Sequence, residues 1–321
     1  MNLRIPGPIP VPSDIIEKMA MPMINHRGPE FKELLYRTTE GLRQVFETNN
    51  DVYIITASGT GAMEAAVVNT LSAGDKVLCP SAGVFGERFG QIAAAYGADV
   101  ISLKSPLERG IDPKEIRTAL TSRPDIKAVL VVHNETSTGV TNPLQDIASI
   151  VKGEFGKLLI VDGISSVCSI PLSTDEWGCD VVVTASQKGW MLPPGLAFIS
   201  FSRQAWDAHA EAKMPRFYLD LSAYERYFKM GQPPYTPSIS VMFALDVALK
   251  KILEEGMKNV FERHAAVSLL TRKGVKRLGL TLFAHEDVSS DPVTSVNIPI
   301  GVDAGRLLKP IDYSYKFAFQ E

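Results

Sequence analysis

Lys188 ends a run whose residue types could do amine chemistry. Val181 to Gly195 reads Val-Val-Val-Thr-Ala-Ser-Gln-Lys-Gly-Trp-Met-Leu-Pro-Pro-Gly. The β-branched residues predict a short strand, and the Gly/Pro-rich tail predicts a loop. A lysine where a buried sheet opens into a loop can lose hydration and become an amine nucleophile or base. A second strand, Leu158-Leu-Ile-Val161, ends in Asp162, a carboxylate that needs a partner if both faces of the sheet are covered. A third stretch, Ser58-Gly59-Thr60-Gly61, lies between the strand Val52–Thr56 and the helix Ala62–Leu71. Strand, glycine turn and helix N-terminus make an anion site, because backbone N–H groups and the helix dipole converge there. The stretch lacks the third glycine of a dinucleotide fingerprint and the Gly-Lys-Ser/Thr of a P-loop.

A strand-end aspartate with a lysine is the pair expected for pyridoxal phosphate (PLP), the aspartate facing a protonated pyridine nitrogen. Asp162 precedes Lys188 by 26 residues. This spacing resembles the fold-type I PLP enzymes. Thr-Ala-Ser-Gly-Thr-Gly-Ala-Met-Glu (56–64), His-Asn-Glu-Thr-Ser-Thr-Gly-Val (133–140) and Ser-Gln-Lys-Gly-Trp (186–190) resemble the class V aminotransferases, nearest to the alanine–glyoxylate and serine–pyruvate group. The resemblance runs from about residue 4 to about residue 309.

The resemblance implies roles for particular residues. Lys188 would be the catalytic amine. Ser58, Gly59 and Thr60 would hold the cofactor phosphate, with Gln187 beside them. Asp162 would keep the ring nitrogen protonated. Phe85, in Gly-Val-Phe-Gly-Glu-Arg, occupies the place of the aromatic residue that stacks on the pyridine; relatives carry tryptophan there, and phenylalanine stacks more weakly. The Thr136 hydroxyl would bond the ring substituents. Thr236, in Gln-Pro-Pro-Tyr-Thr-Pro, would reach the phosphate of a neighbouring subunit, which implies at least a homodimer. His26 and Arg27 match a family His-Arg pair near the pocket and receive no chemical role.

The elements that must position these residues alternate as in a doubly wound α/β sheet. The helix 30–47 carries Phe31, Leu34, Leu35, Leu42, Val45 and Phe46 near helical spacing. The spacing predicts strands at Lys76–Cys79, Val100–Leu103, Ala128–His133, Leu158–Val161, Val181–Ala185 and Ala197–Phe201. Helices are expected at Phe85–Tyr96, Pro113–Leu120, Pro143–Val151, Gln204–Ala212, Ile239–Glu255 and Val260–Lys276. Tyr218 to Pro237 reads as a polar, aromatic connection. Four prolines around Gly7 predict an extended arm, and Ser13 and Asp14 are helix-cap candidates.

Three divisions are expected: an N-terminal arm (1–15), a PLP-binding large domain with a mostly parallel sheet (16–240), and a linking helix with a small α+β C-terminal domain (241–321). In the last, Val293–Ile298 reads as a strand and Asp303–Leu308 as a helix. Pro310 to Glu321 departs from the family, and no Arg-Ile-Gly-type stretch for the substrate carboxylate is present. The C-terminal domain is therefore read as truncated.

Composition bounds the rest. A chain of 321 residues with 45% hydrophobic and 21% charged content fits a globular protein, and a net charge of −3 argues against nucleic acid as partner. No signal sequence or bilayer-length apolar run is seen. Cys79, Cys168 and Cys179 show no metal spacing and fit a reducing cytoplasm. The expected reaction is transamination of a small amino acid, alanine or serine, with glyoxylate or pyruvate. Aminoethylphosphonate transamination and a non-catalytic PLP-binding remnant stay open. A cysteine desulfurase needs a nucleophilic cysteine in the C-terminal half, and none follows Cys179.

Overall fold

A computed structural model describes residues 3–303 and 305–306 and the backbone of 2 and 317–318. Seven strands form the central sheet: β1 (Asp51–Ile55), β2 (Lys76–Ser81), β3 (Asp99–Lys104), β4 (Ala128–Val132), β5 (Leu158–Asp162), β6 (Val181–Ala185) and β7 (Ala197–Phe201). Their order is β1-β7-β6-β5-β4-β2-β3. Only β7 runs antiparallel to its neighbours, so the other six point the same way. Every residue of β4, β5, β6 and β7 is buried. Such runs form where helices cover both faces of a sheet.

The two faces feed two apolar cores by the two-residue alternation of strands. Val129, Val131, Leu159, Val161 and Val182 face a core shared with helices α2 (Pro29–Phe46) and α9 (Ile239–Glu255). Leu130, Ile160, Val181 and Val183 face a core shared with α3 (Gly59–Thr70) and α4 (Val84–Ala95). Further helices are α1 (Ser13–Lys18), α5 (Pro113–Ser122), α6 (Leu144–Ala148, continued by a π-turn to Glu154), α7 (Arg203–Glu211), α8 (Leu221–Lys229) and α10 (Met257–Arg277).

The expected sheet strands and most helices form, within a few residues at their ends. Four readings are corrected. Residues 221–229, taken as part of an irregular connection, form helix α8. Only Leu221 and Tyr224 are buried in it, although Leu221, Tyr224 and Phe228 recur at helical spacing. Its start is set by polar bonds: Asp220 accepts the Ser222 N–H at 3.1 Å and Asn69 the Leu221 N–H at 3.0 Å. Ser13 is no cap, because α1 begins at Ser13, preceded by Pro12. Val293–Ile298 forms only a single bridge, Leu282 to Val296, and Ile298 is exposed. No neighbouring strand among the described residues completes a ladder there. Pro143 precedes α6 rather than starting it. Of the helix expected at Asp303–Leu308, only Gly305 and Arg306 are described as helical; the rest of it and nearly all of 310–321 lie outside the described residues. Among the described residues no helix is long and apolar enough to cross a membrane.

Candidate active site

Strand pairing brings Asp162 and Lys188 to one end of the sheet. Asp162 closes β5 and pairs in register with Val183 of β6. Lys188 follows three residues after β6 ends at Ala185. The carboxyl ends of parallel strands are where open α/β sheets bind ligands.

The loop carrying Lys188 is fixed from below. Ser186 Oγ donates to the Pro193 carbonyl at 2.7 Å and accepts the Leu196 N–H at 3.1 Å. Trp190 is fully buried against Phe198, with its Nε1–H donating to Thr184 Oγ1 at 3.2 Å. At Gly189 a Cβ would sit 2.6 Å from Ser169 Oγ and 2.9 Å from the Cys168 carbonyl oxygen, so only glycine fits. Lys188 itself is half-buried, and its Nζ donates to the Pro6 carbonyl at 2.8 Å. Burial pulls its pKa below the ordinary lysine value, opposed by the charge of Asp162.

Asp162 is buried and accepts the Ile164 N–H at 2.8 Å. Burial pushes its carboxyl up to about 7; the Ile164 bond pulls the other way, the Glu135 charge adds to the rise, and the charges of Lys188 and Arg88 oppose it. No side chain among the described residues forms an ion pair with it. A carboxylate in that state suits a protonated pyridine nitrogen.

The N-terminus of α3 meets both strand ends. A Cβ on Gly59 would lie 2.7 Å from Ile164 Cδ1 and 3.2 Å from Ala185 Cβ. Ser58 caps the helix, its Oγ accepting the Gly61 N–H at 3.2 Å, and Thr60 is half-buried in the first turn. Gln187 carries a buried side-chain oxygen with no partner. A helix N-terminus and a close glycine approach together fit a phosphate.

Phe85 lies in the first turn of α4, with the Arg88 guanidinium 4.8 Å from its ring centre. Thr136 donates to Ser165 Oγ at 2.9 Å, and Ser165 donates to the Asn134 carbonyl at 2.9 Å. Residues 134–136 are thus tied to the turn after Asp162. Thr236 is exposed, and no hydrogen bond joins it to the other candidates. Arg27 bonds Gln232 Oε1 at 2.9 Å and so braces the loop that carries Thr236.

Sequence reasoning missed Ser165, Glu135, Arg88 and the contact of Pro6 with Lys188. Ser165 had a signal, three residues past the strand-end aspartate. Glu135 had one too, an acid inside an otherwise neutral motif. The Pro6 contact spans 182 positions and had none.

A seven-stranded sheet of this order, with a buried strand-end carboxylate beside a desolvated lysine, defines a fold-type I PLP-dependent transferase. The family model described as aminotransferase class-V matches residues 17–311. A protein from Synechococcus sp. named soluble hydrogenase, small subunit, is 41% identical over 304 residues, 94% of this chain and 79% of its own length. An L-aspartate–glyoxylate aminotransferase of Paracoccus denitrificans is 37% identical over 323 residues, covering 98% and 81%. The crystal structure of alanine–glyoxylate aminotransferase from Nostoc sp. is similar at a TM-score of 0.95 and 31% identity, covering 99% of this chain and 85% of that one. The chain belongs to the class V aminotransferases, PLP-dependent enzymes that exchange the amino group of an amino acid with a 2-oxo acid.

Proposed function

We propose that the chain transfers the amino group of a small amino acid, alanine or serine, to glyoxylate or pyruvate, with Lys188 as its catalytic residue. The observation that carries this reading is the pair formed by half-buried Lys188 and buried, unpaired Asp162 at neighbouring strand ends. PLP bound there supplies an electron sink for the charge left when the substrate Cα loses its proton. Lys188 takes that proton and returns it; the burial that favours its neutral amine supports the assignment. Asp162 holds a proton at the ring nitrogen. Ser58, Gly59 and Thr60 bind the phosphate through backbone N–H and hydroxyl groups, helped by the Gln187 amide. Phe85 covers a face of the ring and Thr136 bonds a ring substituent.

Thr236 is assigned to the phosphate of a neighbouring subunit in a homodimer. Its exposure, with that of Met230 in the same loop and of Phe217, whose ring packs on Tyr235, supports an uncovered surface there. Three unpaired, buried cysteines support a reducing, cytoplasmic setting. Residues 1–15 act as an arm, 16–240 as the PLP-binding domain, and 241–321 as the linking helix α9 with a small C-terminal domain. In support, the arm donates the Ile9 N–H to the Gln187 carbonyl at 3.3 Å, beside Lys188.

The names of the two similar aminotransferases agree on glyoxylate as acceptor and differ on the donor. A panel of alanine, serine and aspartate, each with glyoxylate and with pyruvate, tests the choice. Turnover of alanine or serine above aspartate is the expected result. Aspartate as the best donor would overturn the substrate assignment, while no turnover with any pair would overturn the proposed activity.

A further inference from the structure

Glu135 is a fully buried acid that the mechanism above does not use. Its Oε1 accepts the Phe85 N–H at 3.3 Å and its Oε2 the Gly86 N–H at 3.0 Å. Oε1 also accepts from Ser137, through the backbone N–H at 3.2 Å and the hydroxyl at 2.5 Å. Ser137 Oγ in turn accepts the Val84 N–H at 3.0 Å. The first three N–H groups of α4 are therefore capped by a segment some 50 residues away. The helix lacks a cap of its own, because its N-cap is Gly83. A Cβ on Gly83 would lie 2.4 Å from Ser137 Oγ and 2.6 Å from the Glu135 side chain, so the glycine makes room for the acid.

A carboxylate at a helix N-terminus, bonded by N–H groups in a buried place, is a strong local constraint. Here it is applied to the turn that carries Phe85. Arg88, one turn along the same helix, holds the Phe85 ring by a cation–π contact at 4.8 Å. Phenylalanine offers a single-ring stacking face, so its position matters.

We infer that Glu135 is a positioning residue that acts through Phe85, fixing the backbone of the first turn of α4 so that the aromatic ring is preorganised against the cofactor ring. The inference rests on the proposed role of Phe85 in PLP binding. The Glu135 carboxylate is engaged by the α4 N–H groups and by Ser137. Its carboxylate cannot be replaced by an amide without turning an N–H donor toward other N–H donors or losing one of its bonds.

The test compares wild type, Glu135→Gln, Phe85→Leu and the double variant, with PLP as the probe. PLP affinity, the visible circular dichroism of the bound PLP per unit absorbance, and borohydride fixation at Lys188 are read for each. Glu135→Gln is expected to weaken PLP affinity by about tenfold and to cut the visible dichroism, while Lys188 is still the lysine modified. In the Phe85→Leu background the same change is expected to cost no more than about threefold further. Unchanged affinity and dichroism in Glu135→Gln would overturn the inference, as would a full loss that simply adds to that of Phe85→Leu. If Glu135→Gln does not fold, Ser137→Ala is read in the same way: a smaller loss in the same direction supports the inference, and no change overturns it. A wild-type chain that binds no PLP would remove the proposed function and this inference together.

Discussion

The Pro6 carbonyl oxygen accepts a hydrogen bond from Lys188 Nζ at 2.8 Å, joining the N-terminal arm to the lysine. Gly7, the next residue, has φ +142°, and a Cβ there would lie 2.9 Å from both Cδ and Nζ of Lys188. Gly7→Val places a side chain in a backbone region that costs about 1–3 kcal/mol and pushes the lysine aside. The expected outcome is lower PLP occupancy at fixed PLP concentration, with far-UV dichroism unchanged. Equal occupancy in a titration would show that the arm does not constrain Lys188.

Asp162 makes the stability of the cofactor-free protein fall with pH. Its pKa is raised from 3.8 to about 7. Between those values the folded chain keeps a proton that the unfolded chain has lost, so the stabilising contribution is present at low pH and disappears as pH rises through 7. Asp162→Asn cannot titrate. Its stability relative to wild type is expected to rise between pH 5 and pH 8, by about 2–3 kcal/mol in the absence of PLP. His133, whose pKa burial pushes down to about 3, titrates in both proteins and cancels in the comparison. Urea denaturation at the two pH values reads the change; no rise relative to wild type between them would contradict the account.

The three thiols are expected to be inert. Burial pushes Cys79, Cys168 and Cys179 each up to about 12, so almost no thiolate exists near neutral pH. Native protein should leave an aromatic disulfide reagent unreacted over minutes, and denatured protein should react fully with three equivalents. A fast-reacting thiol in the native state would reopen the desulfurase reading.

Trp190 holds up the lysine loop. It is fully buried between Phe46 and Phe198, and it bonds Thr184. Trp190→Ala should cost about 3–5 kcal/mol of stability. Differential scanning calorimetry measures it, and a change in melting temperature within error would mean that the loop is supported elsewhere.

Much of the sheet was legible because β4 to β7 are buried on both faces and read as β-branched runs bounded by turn residues. Lys188 and Asp162 stood out because charged residues at the ends of such runs need a reason. Helix α8 carried a helical spacing in Leu221, Tyr224 and Phe228, but these residues lie among polar and aromatic neighbours and prolines that read as a connection. The failed strand at Val293–Ile298 shows the converse: an apolar alternation becomes a strand only when a partner supplies the ladder. Glu135 and Pro6 act across long sequence separations, which periodicity and local motifs do not encode.

The most direct test of the central claim is to add PLP to the purified chain, fix it with borohydride and map the modified peptide, then repeat the spectrum with alanine present. The account predicts a visible band distinct from free PLP, the phosphopyridoxyl group on Lys188, and loss of the band with alanine; Lys188→Ala should show none of these. The same band in Lys188→Ala, or modification of a different lysine in wild type, would contradict it.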